Sequence, residues 1–571
     1  MGERVIVLGA GVAGLTAAHE LIERGFEVTV YERRDIAGGK ARSFPATITR
    51  MDPEGRLTRE GSCLPAEHGF RFFPGFYRHV FDTMTRIPLS DGSGRHVINN
   101  RHDTQTLLLL QHDPGKPIIY PTQLWRLNAL RTWRPRIMGP HLFRTNAGMS
   151  VADVWFFTRL VLRLLKSCPE RRFAEYESQG WWEFSQAGHR DERYQGVMRA
   201  MTRLLVAARA DELSVRTGGY IMLALGRAIV NWRGHRPKVL NGPTNKAWIT
   251  PWCEYLEHKD VKFEFNTSVE GLRMSDGRID EVIVSRNGQT CHDKAPWYVA
   301  ALPFESMKKI VDECPGLEQA DEQLGGLKDL KDRWMNGIMI YLRKDQKLVH
   351  GHTIYIDSPW ALTSISQAAF WPGYDLADIS KRQVRGILSI DISNWDDNGE
   401  LIKKPAKECS SEEVFTEVCD QIRRHLEGTP YDGLFKPENI YGWCLDPDIR
   451  HPNPTHEFNL EPLLINTPCS WKSRPPAVTA VKNLFLAGDY VRTYTDLATM
   501  EAANESARRA VNGILKGSGS REKPCQVWPL AESLVLAPFR WLDRRSLRAS
   551  ASAEAWDWAR RQLAELEQKE L

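Results

Sequence analysis

Three glycines and one acid, Gly9, Gly11, Gly14 and Glu32, are the first residues in this chain whose types and spacing could do chemistry. A glycine turn brings a phosphate close to backbone N–H groups at the positive end of a helix, and an acid some way on can accept a ribose hydroxyl. Glu32 follows Gly14 by eighteen residues, close to the separation such an acid needs. Ala13 is the small residue inside the same turn. The elements that must position these groups are legible around them. Val5 to Leu8 is a short apolar run with β-branched bias, Leu15 to Arg24 has apolar residues at helical spacing, and Glu27 to Tyr31 reads as a second strand ending at Glu32. A carboxylate there repels a 2′-phosphate, which disfavours NADP and leaves FAD and NAD.

The next residues separate those two. Glu32 to Ser43, reading ERRDIAGGKARS, resembles the ERxxxxGGRxxS signature that follows the dinucleotide fold in FAD-dependent amine oxidases and carotenoid desaturases. The resemblance implies FAD, with Arg33 in the signature, Gly38 and Gly39 exposing backbone N–H groups, and Lys40 and Arg42 supplying cations for the pyrophosphate. Lysine at position 40, where many relatives have arginine, gives up a bidentate grip but keeps the charge.

Two later stretches extend the resemblance. Glu67 to Tyr77, reading EHGFRFFPGFY, is similar to the ETGLHIFFGAY segment of plant-type phytoene desaturases, with Gly69, Gly75 and Tyr77 in register and Arg71 where that family has histidine. In the wider family this segment passes over the isoalloxazine ring, so Gly69 and Phe70 are expected against the flavin. Arg71 is the single catalytic candidate, a cation near the ring or substrate, with a structural ion-pair role carrying equal weight. His68 and His79 read as ordinary hydrogen-bonding histidines. Val261 to Val269 resembles the family's second FAD segment, in which Val269 meets the adenine through its backbone. Asn483 to Tyr490 and Asp496 to Ser506 resemble LAGDY…LASMEGAVLSG. That implies Gly488 and Asp489 at the ribityl or pyrophosphate portion, and Thr499 and Met500 starting a helix whose positive end faces flavin N1 and O2.

At 571 residues the chain exceeds one core. The expected fold is α/β, a Rossmann-like FAD-binding domain (1–100, 236–304, 471–518) with an inserted α+β substrate domain of mixed sheet plus helices (101–235, 305–470) and a helical extension (519–571). Residues 44–64 read as a loop. Trp360, Phe370, Trp371 and Trp395 are candidates for a cavity wall, with core packing the stronger reading of each. The Trp- and Arg-rich run 125–136 carries no nucleotide motif.

A net charge of +4 and the lack of any basic block exclude a nucleic-acid partner. Ten cysteines without a CxxC pair point to a reducing compartment and to no metal site. No signal peptide or bilayer-length apolar run is read, so the expected location is cytoplasmic. Peripheral membrane contact stays open, because Arg159 and Arg163 stand four apart on an apolar helix spanning 154–165. A buried helix with snorkelling arginines is the preferred reading. The oligomeric state is left open.

The resemblance implies hydride transfer between flavin N5 and a hydrophobic small molecule, expected to be a polyene. The product is either a desaturated isoprenoid or a ring formed by redox chemistry, as in the enzymes that tailor polycyclic tetramate macrolactams, whose EHGFRFFPG type of segment this chain shares. An amine or amino-acid oxidase, and a non-catalytic flavin-binding protein, are the alternatives.

Overall fold

Val5, Ile6, Val7 and Leu8 have no polar side chain, and in the structure all four are fully buried in the middle strand of a parallel sheet. The computed structural model describes residues 2–51, 56–69, 71–112, 117–121, 149–206, 209–220, 224, 236–345, 348–453 and 456–567. Phe70 and the run 125–136 lie outside these residues. The sheet has five strands in the order Lys262–Glu264, Glu27–Tyr31, Arg4–Leu8, Trp297–Ala300, Leu484–Leu486. Every neighbouring pair is parallel. Helices Val12–Ile22 and Met500–Gly517 pack together beside it, and Asn504 Nδ2 donates to Thr16 Oγ1 at 2.9 Å and to Thr83 Oγ1 at 3.0 Å. Helical cover of this kind is what continuous apolar strands require.

A second sheet of nine strands forms the other body of the molecule. Its order is Leu57–Glu67, Ser43–Met51, Ile440–Leu445, Gly337–Leu342, Gly386–Ile392, Leu362–Ser366, Gly351–Tyr355, Thr106–Leu110, Ile118–Pro121. The pairing of Gly351–Tyr355 with Thr106–Leu110 is parallel, and the others are antiparallel. Both faces are apolar: Ile338, Ile340 and Leu342 belong to one core and Met339 and Tyr341 to another, as the two-residue period of a strand demands. Trp360 and Trp395 pack into the first core and Phe370 and Trp371 into the second, so core packing is the role of all four.

The loop expected over residues 44–64 is instead most of a strand pair, Ser43–Met51 against Leu57–Glu67. Ala46, Ile48, Leu64 and Ala66 are buried, while Arg50 and Glu60 pair with each other further along the two strands, where they are more exposed. Pro45 meets Pro65 beside a register shift, and the Leu57–Glu67 strand is a sheet edge, a position that tolerates proline and glycine.

The helix Val151–Lys166 starts at Ser150, whose hydroxyl accepts from Asp153 N–H. Val154, Phe157, Leu160 and Leu164 are buried. Arg163 lies over the Tyr176 and Phe184 rings at 5.7 and 5.5 Å, whereas Arg159 points to solvent. At the other end of the chain, helix Ala553–Leu566 begins at the Ser552 cap and packs Ala559 and Leu566 against Trp471 and Phe173. Among the described residues no helix is long and apolar enough to cross a membrane.

Candidate functional site

The turn after the first strand is closed by short backbone contacts. Gly9 has φ 102° and donates its N–H to the Tyr31 carbonyl at 2.7 Å. A Cβ on Gly14 would stand 1.8 Å from the Gly9 carbonyl oxygen, so helix and strand pack closely only with glycine there. Gly38 N–H donates to the Ala10 carbonyl at 2.8 Å, and Gly11 bridges Gly38, which makes the two glycine turns one cradle. Glu32 is buried; its Oε2 accepts Ala10 N–H at 2.8 Å and its Oε1 accepts Arg34 N–H at 3.0 Å. Burial raises this carboxyl above its usual range, and a carboxylate with two hydrogen bonds keeps acceptor sites for a diol. Thr267 N–H donates to the Glu32 carbonyl at 2.9 Å, which leads the strand carrying half-buried Val269 away from the acid.

The cations after Glu32 meet carboxylates from the far end of the chain. Arg33 donates to Glu461 at 2.6 Å, and Arg34 reaches Asp448 at 2.9 Å and Glu461 at 2.7 Å. Arg42 is buried between Asp448 and the Gly39 carbonyl, and Lys40 lies between the Pro462 carbonyl and Glu305. Lys40 and Arg42, the cations the resemblance assigns to the pyrophosphate, here also tie the glycine loop to Pro462 and Asp448. His68, Asp446 and Asp448 place ligand atoms within 4.8 Å of one another, but Arg34 and Arg42 already neutralise Asp448, so the cluster reads as an ion-pair network.

Burial alone would raise the Glu461 carboxyl, but Lys40 and Arg33 outweigh it and hold it at about 2. A depressed folded-state value contributes stability that is complete above the unfolded carboxylate value and is lost as pH falls towards the folded one. The contribution is on the order of 3 kcal/mol. We therefore expect the stability difference between wild type and Glu461→Gln, measured as urea midpoints, to shrink from about pH 5 down to about pH 2. Parallel losses in the two proteins would contradict this assignment.

In the segment from Glu67, each polar side chain has a different fate. Glu67 is buried and accepts from Thr244 N–H at 2.8 Å, Thr244 Oγ1 at 2.7 Å and Gln367 Nε2 at 2.9 Å. His68 Nδ1 stands 2.5 Å from Asp446, which also accepts from Asn336 Nδ2 at 2.8 Å. A Cβ on Gly69 would meet Asp391 Oδ1 at 2.9 Å. Arg71 differs from its neighbours: Nε and Nη2 are buried with no hydrogen-bond partner, and burial pushes the guanidinium below its usual value. Three nearby acids, Glu67, Asp391 and Asp446, oppose that shift, and Glu67 and Asp446 hydrogen-bond to other partners.

His79 has a structural role. Its Nδ1 pairs with Glu501 at 2.8 Å, and its Nε2 accepts Trp528 N–H at 3.0 Å. Glu501 also accepts the N–H groups of Arg78, His79 and Val80, capping the helix His79–Arg86 from the start of another helix. That second helix, Met500–Gly517, has Thr499 as its own cap through Ala502 N–H at 3.2 Å.

Before it, Gly488 N–H donates to Ser506 Oγ at 2.9 Å, and a Cβ on Gly488 would meet the Tyr490 ring at 2.7 Å. The Asp489 carboxylate is half-buried and accepts no hydrogen bond among the described residues. Sequence reasoning missed the group behind this turn. Buried Asp496 takes Thr217 Oγ1 at 2.8 Å and the guanidiniums of Arg216 and Arg474, while Arg474 donates to the carbonyls of Asp489, Tyr490 and Val491, each at 2.8 Å. Residues 216, 474 and 496 share no motif, so the signal was absent from any one stretch.

These residues fit FAD. Glu32 keeps acceptor sites suited to a ribose diol. A Cβ on Gly11 would find only Gly39 Cα within 4 Å, at 3.8 Å, which leaves the cradle open at that point. The unpartnered Arg71 nitrogens are donors suited to ring or substrate oxygens.

Comparison with known proteins agrees with this geometry. Residues 7–87 match the model of the NAD(P)-binding Rossmann-like domain, and residues 252–515 match that of the flavin containing amine oxidoreductase. The 15-cis-phytoene desaturase of Synechococcus elongatus is 23% identical over 552 residues, spanning 93% of this chain and 99% of the relative. The chloroplastic and chromoplastic 15-cis-phytoene desaturase of Arabidopsis thaliana is 21% identical, spanning 90% of this chain and 80% of the relative. Among solved structures, the cyclohexylamine oxidase of Brevibacterium oxydans has a TM-score of 0.57 at 13% identity, covering 90% of this chain and 99% of its own. An oxidoreductase from Methanosarcina mazei has a TM-score of 0.55 at 13% identity, covering 90% and 100%. On these matches the chain belongs to the FAD-dependent oxidoreductases of the phytoene desaturase-like and flavin amine oxidase superfamily.

Proposed function

We propose that this protein transfers hydride between FAD and a hydrophobic polyene, yielding either a desaturated product or a ring formed by redox chemistry, as in polycyclic tetramate macrolactam biosynthesis. The observation that carries this reading is the similarity to the 15-cis-phytoene desaturase of Synechococcus elongatus along 93% of the chain. In this reading Gly9, Gly11, Ala13, Gly14, Gly38 and Gly39 receive the pyrophosphate, with Arg33, Lys40 and Arg42 framing the loop. Glu32 accepts ribose hydroxyls and Val269 meets the adenine. Gly69, Phe70, Gly488, Asp489, Thr499 and Met500 border the ribityl chain and ring. Bound FAD would supply the centre that accepts or gives hydride. The work of the chain itself is to hold a substrate carbon in line and to exclude water.

Arg71 supports a polyene more polar than a hydrocarbon. A buried guanidinium with open donors is costly, and an acidic or carbonyl group on the substrate would offset that cost. We expect Arg71→Met to keep its flavin and to lose about 100-fold in kcat/KM on a polyene ending in an acidic group, with a loss under about tenfold on a hydrocarbon polyene. Equal losses on both would remove the argument for a polar substrate. The reading as a whole is tested by anaerobic incubation with polyene and amine panels, following loss of the oxidised flavin's visible absorption. Bleaching by amines alone would overturn it.

A further inference from the structure

Among the described residues, four buried histidines face a carboxylate, and three of them are closed at both ring nitrogens. His19 meets Glu23 through Nε2 at 2.9 Å, while its Nδ1 accepts Trp252 Nε1–H at 3.0 Å. His79 is closed by Glu501 and the Trp528 N–H, and His425 by Asp357 at 2.8 Å and the Gln421 carbonyl at 2.6 Å. His68 is the exception. Its Nδ1 stands 2.5 Å from Asp446 Oδ2, and its Nε2 is buried with no hydrogen-bond partner. An unmet buried nitrogen costs on the order of 1–3 kcal/mol, a cost that a group of the substrate facing it would offset.

The end of strand Gly337–Leu342 builds the pair. Gly337 N–H donates to the His68 carbonyl at 3.3 Å, and the Gly337 carbonyl accepts Asp446 N–H at 3.2 Å, so one residue fixes both backbones. Asn336, fully buried, donates Nδ2 to Asp446 Oδ2 at 2.8 Å, and Asp448 N–H donates to Oδ1 at 3.0 Å. Both oxygens therefore act as acceptors, which holds Asp446 as a carboxylate and places the proton of a neutral His68 on Nδ1, with the lone pair on Nε2. A carboxylate, an imidazole oriented by it and an open second nitrogen are the parts of a general acid–base group. In the chain, His68 and Arg71, the residues with open nitrogens, flank Gly69. A Cβ on Gly337 would lie 3.5 Å from Gly69 Cα, so the strand end that carries the pair is packed directly against that glycine.

We propose that His68, oriented by Asp446, moves the proton in the reaction at the flavin, a role that rests on the reading of Gly69 as the residue against the ring. In desaturation one substrate carbon gives a hydride to oxidised FAD and its neighbour gives a proton to His68 Nε2. The electron pair of the second C–H bond becomes the new π bond. An amine would lose its N–H proton to the same nitrogen as a C=N bond forms. The charged groups around the pair are Asp448, 3.9 Å from Nδ1 and held by Arg34 and Arg42, Glu461, held by Arg33 and Arg34, and Arg71.

The test begins without substrate, by following the oxidised-flavin spectrum of the FAD-loaded full chain from about pH 5 to about pH 9. One proton-linked change is expected in the wild type, absent from His68→Gln and moved to lower pH in Asp446→Asn, which removes the negative charge that favours the imidazolium. Anaerobic bleaching by the polyene or amine that reduces the wild-type flavin fastest is then compared. The wild-type rate should rise with pH through the same ionisation. His68→Gln should lose at least about 100-fold together with the pH dependence. Asp446→Asn should lose at least about 100-fold as well, because an amide donating to Nδ1 puts the ring proton on Nε2. It decides in place of His68→Gln if that variant does not load FAD. A purely structural role would lower the urea midpoint of His68→Gln and leave the pH profile of its remaining activity as in the wild type. That profile with a rate within about tenfold of the wild type, or a flavin spectrum with no change that His68→Gln removes, would overturn the proposal. Bleaching by amines alone would overturn the polyene reading, and the amine rates would then judge His68 by the same criteria.

Discussion

Gly14→Val is expected to yield protein without flavin and with stability reduced by more than about 3 kcal/mol. The added Cβ would lie 1.8 Å from the Gly9 carbonyl oxygen and 2.9 Å from its carbon, both backbone atoms of the turn that cannot swing aside. Helix Val12–Ile22 must then lift from strand Arg4–Leu8, and with it goes the alignment of N–H groups on which a pyrophosphate would rest. Gly196 is the control: it lies inside helix Glu192–Val206, and a Cβ there meets nothing within 4 Å. Gly196→Ala should be neutral or stabilising by up to about 1 kcal/mol. The ratio of flavin to protein absorption and the urea midpoint read out both variants. A Gly14→Val protein that keeps a full complement of FAD would show that the turn does not hold the cofactor.

Asp496→Ala is expected to cost about 3–5 kcal/mol, because it removes the shared counter-charge of two buried guanidiniums. Asp496, Arg216 and Arg474 are 1%, 3% and 1% exposed, so water cannot take over the lost role. The damage should reach the flavin site, since Arg474 also anchors the carbonyls of Asp489, Tyr490 and Val491 beside Gly488. Asp496 has φ 44°, a left-handed conformation that asparagine accepts more easily than alanine. Asp496→Asn should therefore fall between wild type and Asp496→Ala in stability and FAD dissociation rate. Arg216 also donates to buried Glu177 at 2.8 Å, so Arg216→Met is itself expected to destabilise. Comparing the two single variants with the double variant gives the coupling energy of the Arg216–Asp496 pair, expected to exceed about 1 kcal/mol. A loss below about 1 kcal/mol in Asp496→Ala would mean that the charges are solvated by another route.

The two cases differ in how far they could be read from residues alone. Gly14 acts on Gly9, five residues away, and its demand is steric and local. The same holds for the caps: Ser150, Thr499 and Ser552 each accept an N–H three residues on, so their role follows from position in the chain. Pairing across distance is another matter. The strands Ser43–Met51 and Leu57–Glu67 were hidden by Pro45, Pro65 and interspersed polar residues; they pair with each other, and strand Ile440–Leu445 joins the first of them to the sheet, with Trp443 opposite Thr49. A strand's preference is largely that of its neighbours, and these neighbours come from the other end of the chain.

Arg42 and Arg71 show where the division lies. Both are arginines within or close after the glycine signature, and by type alone either could bind phosphate, pair with an acid or meet the substrate. The fold brings Asp448, 406 residues away, onto Arg42 and engages Glu67 and Asp446 with other partners, leaving two nitrogens of Arg71 without one. Spacing was enough to identify the dinucleotide turn and the acid after it, and the family resemblance implied the helix start at Thr499, because their hydrogen-bonding and steric needs are met within a few residues. Which charges are satisfied and which remain open was decided only by tertiary structure, because a buried charge is stabilised by whatever group the fold sets beside it, however distant in the chain.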